Sequence, residues 1–136
     1  MKKLASLLLV AILAVALTGC QGDSGKLDNS TPRGAVELFV YCLTEEPDIN
    51  TAYAVCELWQ GLSDSEVNAR FRLYNMYFFI LQNISIGKAQ ISGNSAEVIL
   101  TAKDEGRNVR FVFGLEKRTD YWTITSIDAP QMGYGF

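Results

Sequence analysis

Three cysteines carry most of the distinctive chemistry of this sequence, and no histidine stands beside them. Without an imidazole there is no Ser-His-Asp or Cys-His nucleophile, and no side-chain base of the usual neutral-pH kind. The most common metal ligand is missing as well, and Cys42, Cys56 and the carboxylates show no zinc-ligand spacing. We therefore expect neither a metal site nor a cofactor, and no catalytic residue can be named from such a set. No phosphate-cradling glycine motif is expected; Gly133-x-Gly135 sits in the tail without a following helix. Asn83-Ile84-Ser85 matches a glycosylation sequon, which by itself is uninformative, and Arg70 and Arg72 flank Phe71, which reads as a solvated face.

The remaining cysteine, Cys20, has a more specific setting. Met1-Lys2-Lys3 is a short cationic start, and Leu4 to Leu17 is a run of 14 residues broken only by Ser6. Spanning a bilayer takes about 20 residues, so the run has the length of a secretory signal core. It ends in Leu17-Thr18-Gly19-Cys20. An aliphatic residue, two small residues and a cysteine resemble the lipobox of bacterial lipoproteins. The resemblance implies a thioether from the Cys20 sulfur to diacylglycerol, cleavage just before Cys20, and acylation of the new amino group with a fatty acid such as palmitate. The residue types suit that chemistry: Thr18 and Gly19 let a peptidase approach, and only a thiol yields the thioether. Gln21, where an Asp would favour retention in the inner membrane, resembles lipoproteins sorted to the outer membrane, facing the periplasm.

Taking residues 1–19 as a signal peptide leaves 117 residues holding ten Lys and Arg against fifteen Asp and Glu, a formal charge of −5. An acidic chain has no basic surplus with which to displace phosphate counterions, so nucleic acid is excluded as a partner. All 15 aromatic residues lie in this part, too many for a disordered chain. Residues 20–31 read as the lipidated cysteine and a polar, glycine-containing tether, whose eleven residues after Cys20 span on the order of 18 Å. Residues 32–128 read as one domain, and 129–136 as a loose tail.

Within the domain, Thr31-Pro32 is a helix start, with Val36, Phe39, Val40 and Leu43 recurring at helical spacing as far as Glu45-Glu46-Pro47. A second helix is expected from Asp48 or Asn50, with Ala52, Val55, Cys56 and Trp59 on one face and Gly61 at its end. Ser63-Asp64-Ser65-Glu66 is a capping box opening a third, which carries Val67, Phe71, Tyr74, Phe78 and Leu81. After Asn83 the period falls to two. Ile84, Ile86 and Ile91 mark a first strand, Ala96 to Ala102 a second, Val109 to Leu115 a third and Tyr121 to Ile127 a fourth, joined by short turns. The expected fold class is α+β, with three N-terminal helices packed in a curled four-stranded antiparallel sheet.

Thr31-Pro32-x-x-Ala35-Val36-x-x-Phe39, Asp48-x-x-x-Ala52-Tyr53 and Tyr121-Trp122-x-Ile124, in that order, look like the small bacterial lipoproteins of the nuclear transport factor two-like superfamily. The Thr44-Glu45-Glu46-Pro47 connection is longer than that family's usual turn. The resemblance implies a cone-like, cystatin-related shape with a pocket at its open end, for which Tyr74, Tyr77, Phe78, Phe111 and Trp122 are the candidate lining. It implies a lipid-anchored extracytoplasmic binding domain for a protein or small-molecule ligand not named by the sequence. The alternative is an isomerase or dehydratase-like enzyme using a pocket carboxylate and a tyrosine, Tyr74 or Tyr77 with a strand acid such as Glu97. Yet Glu97 falls on the strand face opposite Val98 and Leu100, and the fold alone sets no function.

Three further expectations concern the cysteines, the sheet and the third helix. In an oxidising compartment Cys42 and Cys56 either form a disulfide, whose loop of about 15 residues is worth roughly 3 kcal/mol, or stay as two buried thiols packing as small apolar groups. Ile99 and Val112 give the outer sheet face an apolar spot through which a homodimer could form. The third helix, aromatic on more than one side at Tyr74, Tyr77, Phe78 and Phe79, must either be wrapped by the sheet or expose a patch.

Overall fold

The computed structural model describes residues 28–130; residues 1–27, with the expected signal segment, Cys20 and most of the expected tether, and residues 131–136 lie outside that range. In chain order the elements are α1 (Pro32–Thr44), α2 (Ile49–Ala54), a single 3-10 turn (Glu57–Trp59), α3 (Asp64–Ile80), β1 (Gln82–Ile86), β2 (Gln90–Ser92), β3 (Ser95–Asp104), β4 (Arg107–Arg118) and β5 (Tyr121–Asp128). The fold is α+β, with three helices and an open antiparallel sheet of five strands.

Local chemistry sets the helix starts. Thr31 accepts from the Gly34 N–H at 3.0 Å, and Pro32 occupies the first helical position, where its missing N–H costs nothing. The Asp48 carboxylate accepts from the Asn50 and Thr51 N–H groups. At α3 both halves of the capping box are present: Glu66 N–H donates to Ser63 Oγ and Ser63 N–H donates to Glu66 Oε1. The Ser63 N–H, and after it the Ser63 hydroxyl, donate to the Glu66 carboxylate and hold it below its ordinary value.

The second helix departs from expectation. It stops at Ala54 rather than running to Gly61, because β5 claims the next stretch of chain. The Ile124 N–H donates to Val55 O at 2.9 Å, and Cys56 forms a parallel bridge with Ile124. The buried Thr123 hydroxyl accepts from the Glu57 N–H at 3.0 Å and lies 3.3 Å from Val55 O, to which it donates. Arg118 then grips Glu57 with two hydrogen bonds, Nε to Oε1 at 3.0 Å and Nη2 to Oε2 at 2.8 Å. A helix through Val55 and Cys56 would forfeit these bonds to the sheet.

The strand count also changes. The stretch holding Ile84, Ile86 and Ile91 is two strands, β1 and β2, which share one edge of β3: Ile86 lies opposite Leu100 and Gln90 opposite Glu97. Between them Gly87 comes so close to β3 that a Cβ would sit 3.2 Å from Ile99 O, and its N–H donates to that oxygen at 2.9 Å. The β2–β3 turn has Gly93 at its first central position with φ 62°, as the hairpin geometry there requires. Strand order is β1-β3-β4-β5, and the register shifts between Gly114 and Leu115 against β5.

Alternation decides which sheet face meets the helices. Ala96, Val98, Leu100 and Ala102 of β3 and Phe111, Phe113 and Leu115 of β4 are buried against α1, the 3-10 turn and α3. Phe39 of α1 is at the centre, with ring centroids 5.3 Å from Trp59, 6.2 Å from Tyr74 and 6.1 Å from Phe113.

Two consequences can be measured. T123V keeps the shape of the side chain but leaves the Glu57 N–H without its acceptor; equilibrium denaturation should show a loss of about 1–3 kcal/mol. Arg118, chiefly by hydrogen bonding, holds the Glu57 carboxyl below its ordinary value. The stability from this pair is thus present above the ordinary carboxylate range and fades as pH falls through the lowered value. Between about pH 5 and about pH 3, E57Q should lose less thermal stability than the native chain.

Candidate functional site

A shallow cleft of about 280 Å³ opens between α1 and β1. Val40, Ile84 and Ile86 form its apolar floor, and Glu37, Tyr41, Thr44 and Glu45 form its rim. Helical spacing puts Glu37, Tyr41 and Thr44 together, while the β1 pleat turns Ile84 and Ile86 to the same side. Arg33 Nε lies 3.2 Å from Glu37 Oε2, which holds that carboxylate against α1. The Thr44 hydroxyl donates to Val40 O at 2.8 Å, so its proton is already engaged. Burial, with the charges of Glu46 and Glu45 adding to it, raises the Tyr41 phenol above its ordinary value, so Tyr41 stays a neutral donor. An aliphatic floor with an acidic and phenolic rim suits an apolar group that carries a positive charge.

None of the five residues expected to line a pocket is part of this cleft. Tyr74, Tyr77, Phe78, Phe111 and Trp122 are all buried in the core. The Phe78 and Phe111 rings are 4.9 Å apart, Tyr77 and Phe111 5.9 Å, and Tyr74 and Phe78 6.1 Å. These contacts bring four of the five together as packing. Burial pushes the Tyr74 phenol up, the Cys56 sulfur adds to the rise, and Arg70 opposes it.

A tyrosine and a carboxylate do meet, but with a different acid. The Tyr77 hydroxyl donates to Asp104 Oδ2 at 3.2 Å, and Arg107 Nη2 lies 3.4 Å from the same oxygen. Glu97 is exposed on the other face of β3. The Tyr77–Asp104 contact ties the end of α3 to the β3–β4 turn. Among the described residues, no group of three His, Cys, Asp and Glu stands close enough to hold a metal.

Cys42 and Cys56 are both buried and unbridged. Burial, with Asp48 and Glu46 adding to it, pushes the Cys42 thiol up to about 12. Burial pushes the Cys56 thiol up to about 12 as well, against backbone hydrogen bonds from Trp59 and Leu58 that lower it. The thiolate is the nucleophile, so these are inert packing groups. Cys20 lies outside the described residues. Ile99 and Val112 pair directly across β3 and β4, both partly buried.

Comparison of the chain with protein-family models, with curated proteins and with solved structures found no match. Residues and geometry alone therefore carry the functional reading.

The sequence pattern did not reveal the cleft. Tyr41, Thr44 and Glu45 fall off the apolar stripe of α1, and only the docking of β1 beside that helix gives them a facing wall. Tyr41, a large ring away from the Val36–Phe39–Leu43 stripe, was the available signal. Iodoacetamide treatment of the denatured chain without reductant should modify both Cys42 and Cys56, whereas the native chain should react slowly at each; mass spectrometry reads both.

Proposed function

We propose that this protein is a lipid-anchored domain of the bacterial cell envelope, held by acyl chains on Cys20, that binds a ligand or partner at its surface. The observation that carries this reading is Leu17-Thr18-Gly19-Cys20 at the end of a cationic and apolar leader. Two or three acyl chains exceed the two-signal requirement for stable anchoring, each buried methylene contributing roughly 0.8 kcal/mol. Gln21 supports the outer membrane, facing the periplasm, as the location. The order of three helices and an antiparallel sheet is compatible with a nuclear transport factor two-like domain, with its cone-like shape, as the scaffold.

Binding is preferred to catalysis because the interior aromatic residues are spent on packing. The Tyr77–Asp104 pair has the groups that an isomerase or dehydratase would use. Tyr77 is enclosed by Phe78 and Phe111, however, and the cleft does not include the pair. The cleft between α1 and β1 supplies an aliphatic floor with Glu37 and Glu45 at its rim, and we assign the ligand role to it: an apolar group bearing a cation. The domain itself bears acidic groups in excess, so the anchor supplies the membrane affinity.

Cells fed radiolabelled palmitate should label the native chain, and C20S should abolish that label and accumulate an uncleaved precursor. Undiminished labelling of C20S would overturn the anchor. On sucrose gradients the native chain should travel with the outer membrane; co-migration with the inner membrane would contradict the location.

A further inference from the structure

We propose that the outer face of α3 rests on an anionic lipid surface, that of the bilayer entered by the acyl chains of Cys20; the inference depends on the anchor reading above. One side of α3 is buried in the core, with Val67, Tyr74 and Phe78 on it; Tyr74 meets Phe39 and Trp59, and Phe78 meets Phe111. The other side is apolar as well. Met76, Phe79 and Ile80 are 55%, 76% and 54% exposed. Helical spacing sets Arg72, Met76 and Phe79 in one row with Ile80 beside it.

Charge favours a lipid occupant. No Asp or Glu occurs from Val67 to Ala96, thirty residues of a chain with fifteen acids, whereas Arg70, Arg72 and Lys88 all fall there. Arg72 is exposed on the same row as Met76 and Phe79. The acids of α3 itself, Asp64 and Glu66, are confined to its first turn, so beside the exposed apolar residues an anionic headgroup layer meets Arg72. Apolar residues with neighbouring cations on one helix face are the composition of interfacial helices. A second copy fits less well. Three side chains expose a few hundred Å², short of the roughly 800 Å² that each partner of a stable dimer buries.

The tether keeps the domain near the bilayer. The Trp122 N–H donates to Asn29 O at 2.8 Å, which fixes where the chain joins the domain. The nine residue steps from Cys20 to Asn29 reach at most about 30 Å, so a lipid-anchored Cys20 holds the domain within about that distance of the headgroups.

The test uses the full-length lipoprotein carrying F79C, labelled with a nitroxide and reconstituted into vesicles of phosphatidylethanolamine and phosphatidylglycerol. Buried Cys42 and Cys56 make the unsubstituted chain the labelling control, and T101C on the opposite sheet face gives a solvent reference. The vesicles should carry the protein on flotation. The ratio of oxygen to nickel-chelate collisions should be several-fold higher at position 79 than at position 101, and M76D/I80D should return it towards the position 101 value. Flotation with equal ratios at both positions overturns the docking and leaves the anchor standing; loss of flotation overturns both. Low collision rates with both reagents at position 79, with spin–spin broadening that grows with protein density, would assign the face to a second copy and overturn the proposal.

Discussion

Edge-to-face packing of aromatic rings is the interaction on which the rest of this molecule depends. Phe39 touches Trp59, Tyr74 and Phe113, and through Phe113 and Phe78 the cluster extends to Phe111 and Tyr77. One helix residue thus holds the 3-10 turn, α3 and β4 together. The Trp59 Nε1 is buried without a hydrogen-bond partner, a cost of about 1–3 kcal/mol. Burying an indole of about 200 Å² is worth roughly 5 kcal/mol at 25 cal/mol per Å². Ring burial exceeds the desolvation penalty, so the tryptophan stays inside.

That packing has a functional consequence. In an antiparallel sheet covered on one face, the inner residues of β3 and β4 either line a cavity or meet the helices. Here Phe111 and Phe113 meet them, and Tyr74, Tyr77 and Phe78 fill the space between. The two surfaces proposed for recognition are therefore exterior, the cleft beside α1 and the outer side of α3. The two surfaces differ in charge, with Glu37 and Glu45 around the first and Arg72 beside the second. On the proposed lipid-anchored reading, the second surface would set the orientation of the domain and leave the first open to the periplasm.

Elements governed by neighbours in the chain were legible in advance. Thr31-Pro32, the Ser63–Glu66 box and the Gly93-Asn94 turn act over three or four residues, and each is where its spacing predicts. The inner and outer residues of β3 and β4 also obey the two-residue period. The errors came where distant partners intervened. The second helix is cut at Ala54 by Thr123 and Ile124, about seventy residues away in the chain. The first strand is divided because Gly87 pulls in against Ile99. Spacing brings Tyr74, Tyr77, Phe78 and Phe111 together, but whether rings enclose space or fill it depends on their interlocking, and here they are packed in the core. Strand alternation turns Glu97 away from the tyrosines, as expected; the carboxylate that Tyr77 does meet is Asp104, because the end of α3 finishes beside the β3–β4 turn.

Alone, the sequence determined the acidic balance of the chain, the helix caps and the alternation of the strands, and it carries the proposal of a leader ending before Cys20, because each depends on composition or on contacts a few residues apart. Tertiary structure decided the length of α2, the division of the edge strand, the partner of Tyr77, the cleft between α1 and β1, and which side of an all-round apolar α3 faces outward. All of these depend on two elements meeting across the fold, where buried ring area and long-range hydrogen bonds outweigh local helix and strand preference.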